Sequence, residues 1–193
     1  GSFHIPDGVP VLLKCIQEPG RKGADVQLSA LEGIATLAKN VGSEKLREEP
    51  NLLATVIAAS QQTDEETASA GATDGESFFR PGGEGRAVAA YALGVLAGEE
   101  EQARLEKMLI DTYPNARYNA ATGLARHGVA SKNCLGVLKE MLQTDNELAT
   151  RDERGLRDKD NKRVIVLRNG IQTTVVLAQK NPTADLSALK TAL

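Results

Sequence analysis

The sequence predicts an all-α protein built from helix pairs laid side by side, and three observations predict it. First, a phrase recurs. EGRAVAAYALGVLAG from Glu84 and PNARYNAATGLARHG from Pro114 each carry an Arg, a run of small residues and a Gly–Leu or Leu–Gly step. With Arg86 set over Arg117, Ala89 falls on Ala120, Ala92 on Gly123, Leu93 on Leu124 and Gly94 on Ala125, a shift of 31 residues. Second, the chain is 41% hydrophobic but holds three Phe, three Tyr and no Trp, so Ala, Leu, Val and Gly must fill the core. That palette suits closely packed helices better than a sandwich built on aromatic and β-branched side chains. Third, Leu105, Met108 and Leu109, like Leu138, Met141 and Leu142, recur at a spacing that gathers them on one helical face.

Taken in order, the elements form four pairs. DVQLSALEGIATLAKN fits the repeated frame, with Gln27 at the Arg position, Ala30 at the Ala position, Gly33 at that of Gly123 and Ile34 at that of Leu124. VIVLRNGIQTTVVLAQ fits more loosely, through Gly170 and Ile171. Each of these second helices follows a first helix: LLKCIQEP, LLATVIAAS, LEKMLIDT and LKEMLQTD. Pro114 suits the first turn of its helix and Gly128 a C-terminal stop, while Thr183, with Asp185 nearby, is expected to cap a final, partial helix. Glycine inside a helix costs about 1 kcal/mol relative to alanine. Gly33, Gly94, Gly123 and Gly170 are therefore expected where neighbouring helices touch closely enough for dispersion contacts to offset that cost. A lone helix pair cannot bury its apolar face, so repetition implies stacking.

At this point the residues resemble a known family. IDTYPNARYNAATGLARHG is similar to the core of a HEAT repeat, with Asp111 in the turn, then Pro114, Arg117 and an Ala-rich second helix through Gly123 and Leu124. EGRAVAAYALGVLAG resembles the second helix of another. The match is good over Glu84 to Gly128, fair over Val9 to Val41, and weak from Cys134 to Lys180, where Val164 holds the Arg position and Arg163 is one place out of frame. The resemblance, shared with armadillo and phycobilisome-lyase-like repeats, implies a right-handed α-α superhelix of about four pairs plus the partial terminal helix. It implies structural roles for Asp111 and Arg117 in tying neighbouring repeats together. On this reading residues 1–193 are one solenoid domain, residues 1–2 are an expression scar, and the chain is expected to be a piece of a longer protein.

The period is interrupted twice, at about 61–84 and about 144–162, both between a first and a second helix. Loops this long are uncommon in compact domains and are often functional. The first is acidic and holds Phe78, Phe79 and Arg80, the candidates for an aromatic and cationic partner contact. The second mixes both signs of charge in RDERGLRDKDNKR, which reads as a solvated segment or a helix extension interrupted at Gly155. It lacks the glycine and terminal glutamate placement of a calcium-binding EF-hand loop.

For function, the net charge of −3 argues against an overall field that attracts nucleic acid. Cys15 and Cys134 lack metal or redox spacing and read as core thiols. No dinucleotide fingerprint, P-loop or zinc motif occurs, so no catalytic, cofactor or metal residue is assigned. The expectation is a non-catalytic scaffold that binds an unidentified protein through the solenoid face and the two inserts, with Phe78, Phe79, Arg80, Arg86 and Arg117 as candidate contacts. Two alternatives stand beside it. One is a HEAT-like nucleic-acid binder using Arg86, Arg117, Arg126, Arg163 and Arg168; the other is a bilin-lyase-like protein. No membrane contact is expected from this segment.

Overall fold

The computed structural model describes residues 5–17, 23–63, 83–151, 153, 155–190 and 192. They form α1 (Ile5–Gln17), α2 (Gly23–Val41), α3 (Ser43–Arg47), α4 (Leu52–Ser60), α5 (Gly83–Leu96), α6 (Glu99–Met108), α7 (Pro114–Arg126), α8 (Lys132–Met141), a 3-10 turn (Leu148–Thr150), α9 (Leu156–Lys180) and α10 (Ser187–Lys190). No strand occurs among the described residues. The protein is all-helical.

Local chemistry sets several boundaries. Pro114 opens α7 after an extended Tyr113; its missing N–H costs nothing there, because the first helical amides have no intrahelical acceptor. Gly128 closes the same helix at φ +74°, where a side chain would be strained. Ser131 caps α8 by accepting a hydrogen bond from Cys134 N at 3.2 Å. The final helix differs from expectation. It starts at Ser187, and Asp185 Oδ1 accepts from Ser187 N at 3.0 Å, whereas Thr183 donates to Asn181. Thr183 stands a full turn too early to reach the helix amides.

First helices pack on second helices: α1 on α2, α4 on α5, α6 on α7 and α8 on α9. The second helices then form a row, with α2 against α5, α5 against α7 and α7 against α9. One continuous core runs through these contacts from Val9 to Leu189. The row is tightest at its centre. A Cβ placed on Gly94 would lie 2.7 Å from the Gly123 Cα, and one on Gly123 would lie 2.8 Å from the Gly94 Cα, so α5 and α7 touch backbone to backbone. A Cβ on Gly170 of α9 would lie 3.0 Å from Met141 Cβ and 3.3 Å from the Met141 carbonyl carbon, and one on Gly33 of α2 would lie 3.1 Å from Leu12 Cδ2.

The second insert is more regular than its charge run suggests. Its Ala149 and Thr150 are buried in the 3-10 turn, and Gly155 immediately precedes α9, so residues 156–162 belong to a helix of 25 residues. Cys134 is buried and Cys15 half-buried, each as a free thiol in a helix. Phe78, Phe79 and Arg80 lie outside the described residues.

Candidate binding groove

Helical spacing gives each second helix a line of side chains between its packed flanks. On α5 these are Glu84 and Val88; on α7, Asn115, Asn119 and Thr122; on α9, Lys162, Ile165 and Asn169. With Leu28 and Glu32 of α2 they line one cavity of about 380 Å³. Because the helices are ordered α2, α5, α7, α9, the two central ones supply the floor and the outer two the walls.

The floor is pinned by its own hydrogen bonds. Asn119 Nδ2 donates to the Ala87 carbonyl of α5 at 2.8 Å, which aims the amide along the α5–α7 seam. Asn115 Nδ2 donates to Tyr113 Oη at 3.2 Å, and Thr122 and Thr173 share a hydroxyl contact of 3.3 Å between α7 and α9. Each amide keeps acceptor capacity after donating, since an asparagine offers two donors and a carbonyl oxygen. Asn169 is exposed on α9, and Ile165 is 44% exposed beside it.

Beneath one side of the floor runs a polar ladder. Arg86 Nε and Nη2 donate to the two carboxylate oxygens of Asp111 at 2.9 and 3.0 Å, and Nη1 donates to the Gln62 carbonyl at 3.1 Å. Asp111 also accepts from Tyr113 N at 2.8 Å. Arg117 continues the line, donating to the Asp111 carbonyl at 2.7 Å and to Glu140 Oε1 at 2.6 Å. Tyr118 Oη donates to Glu140 at 2.6 Å and accepts from Asn146 at 3.0 Å. Burial first, and the bond to Glu140 second, push the Tyr118 phenol well above its ordinary value, so it stays a proton donor. The ladder joins α5 to the α6–α7 turn, and α7 to α8.

The sequence candidates therefore fall in different places. Arg86 is 7% exposed and engaged with Asp111, and Arg117 is bonded to Glu140; neither lines the groove. Pro114 starts α7, and Gly123 and Leu124 are buried within it. Of the remaining arginines, Arg163 pairs with Glu147 and Asp160, while Arg126 and Arg168 are exposed. Sequence reasoning did not single out Glu32, Asn115, Asn119, Lys162 or Asn169. The one available signal was the i, i+4 pair of asparagines in a helix otherwise dominated by small residues.

Among the described residues no group of three or more His, Cys, Asp and Glu is placed to hold a metal ion. Burial, then the nearby Glu106 charge, push the Cys134 thiol up to about 12, so it is a poor nucleophile inside the core. His127 ends α7 with Nε2 3.2 Å from the Gly94 carbonyl. Among the described residues no helix is long and apolar enough to cross a membrane. Compared with protein-family models, with curated proteins and with solved structures, the chain matches none of them.

Proposed function

We propose that this chain is a non-catalytic protein-interaction scaffold, a right-handed α-α superhelix of about four HEAT-like helix pairs with a partial terminal helix. Its row of second helices, together with the segments 61–84 and 144–162, would receive a partner protein. The side-by-side packing of successive pairs supports the superhelical reading, as does an Arg–Asp tie between one pair and the next at Arg86 and Asp111. The observation that carries the functional reading is the amide-bearing floor of the groove. A peptide backbone presents one donor and one acceptor per residue. Side-chain amides match both, and Val88 and Ile165 beside them offer apolar contact to alternate side chains of an extended strand.

The chain has no native tryptophan, so Asn169→Trp places a single emission probe at the groove. Peptides selected from a random display library on the unaltered protein are expected to shift that emission on titration. They are also expected to lose binding to Ile165→Glu. A library that yields no binder, or binders that leave the tryptophan emission unchanged, would overturn this function.

A further inference from the structure

The groove carries charge of opposite sign on its two walls. Glu32 rises exposed from α2, and Lys162 stands on α9, at the other end of the helix row. Neither has an ion pair or side-chain hydrogen bond with any described residue. Between them Ala87, Val88, Asn115, Asn119 and Thr122 of the floor are uncharged. The second carboxylate of the cavity, Glu84, belongs to α5, the floor helix adjacent to α2. A concave site with low-dielectric walls focuses such a field. Any occupant that fills the groove meets a negative wall at one side and a positive wall at the other.

We propose that the groove holds an extended peptide segment bearing a basic and an acidic side chain on the same face, the basic one against Glu32 and the acidic one against Lys162. The inference rests on the protein-binding reading above and deepens it. Same-face residues of an extended chain recur every second position, about 6.6–6.8 Å apart, so the positions of the two charges differ by an even number. Complementary charges of this kind contribute more to orientation and specificity than to raw affinity. They would make binding directional, because a segment with the two charges exchanged sets like against like at both walls.

The test uses one peptide selected on the unaltered protein and a second in which its basic and acidic residues are exchanged. The exchanged peptide is expected to bind the unaltered protein about tenfold more weakly. The double variant Glu32→Lys with Lys162→Glu is expected to reverse the preference. Recovered binding of the exchanged peptide would itself show that the variant folds. Selected peptides that bind both proteins equally in either order would overturn this inference and leave the groove as a protein-binding site. No selected peptide at all would overturn both readings. So would a tryptophan signal that shifts only with the protein's own concentration, which would assign the groove to a second copy of the chain.

Discussion

The α5–α7 junction and the C-terminal helix α9 are built from related phrases, yet they are held in different ways. In α5, ten of 14 residues are buried, from Gly83 to Leu96. In α9, which has 25 residues, Val166, Gly170, Thr173 and Leu177 are the buried ones. The central helices meet through Gly94 and Gly123 with backbone against backbone, and a buried Arg86–Asp111 pair locks the adjoining turn. At α9 a Cβ on the glycine would stand further off, 3.0 Å from Met141 Cβ and 3.3 Å from the Met141 backbone, and Arg163 lies between the exposed carboxylates Glu147 and Asp160. Val164, Ile171 and Val175 remain exposed on its far side. Small residues thus do two jobs. At the centre they permit contact that nothing larger could make, and at the end they seat one stripe of a helix whose other faces reach solvent.

Breaking the central ion pair is expected to have the largest effect. Arg86→Ala leaves Asp111, itself 10% exposed in its side chain, without its bidentate partner. Removing one member of a buried pair costs about 3–5 kcal/mol, read as a large fall in the urea midpoint. The glycines sharpen the comparison. Gly94→Ala gains helix propensity of about 1 kcal/mol but drives a methyl to 2.7 Å from the Gly123 backbone, which cannot move aside without separating two helices. A net loss of about 2 kcal/mol is expected. Gly170→Ala meets Met141 Cβ at 3.0 Å, with Leu142 Cδ2 and the Met141 carbonyl carbon at 3.3 Å, so α8 and α9 need to part by only a few tenths of an ångström. Its denaturation midpoint should change far less.

Alkaline pH probes the buried interior between these regions. Burial, which disfavours the thiolate, pushes the Cys134 thiol up to about 12 in the folded protein, against about 8.5 for an exposed thiol. Below the lower value both states hold the proton, and the advantage of the buried neutral thiol is complete. As pH rises toward about 12, the unfolded chain alone releases its proton, so stability falls by up to about 1.4 kcal/mol per pH unit. Tyr118, also raised by burial, adds to the fall at higher pH. Urea titrations of Cys134→Ala across this window are expected to show a shallower slope, whatever its starting stability. The smallest effect belongs to the end of the row. Arg163→Ala removes an ion pair whose Glu147 partner is 70% exposed and should cost less than about 1 kcal/mol.

Much of the architecture could be read from residue order, because helical spacing, Pro114, Gly128 and the repeated small residues act within one or two turns of chain. The same local logic failed at Thr183, where the helix begins a turn later and Asp185 takes the cap. The groove was less legible. Its residues come from α2, α5, α7 and α9, separated by tens of positions, and no local pattern says that Glu32 and Lys162 share a cavity. Nor does residue type reveal direction. Arg86 and Arg117 have the composition of an exposed contact, but their guanidiniums point to Asp111 and Glu140 across helix boundaries. The sequence by itself determined that this protein is helical and where α7 starts and stops, since those outcomes depend on backbone chemistry within a few residues. Tertiary structure alone decided which charges became internal ties and which face became a groove. Burial and pairing depend on what the neighbouring helix brings to the same point in space.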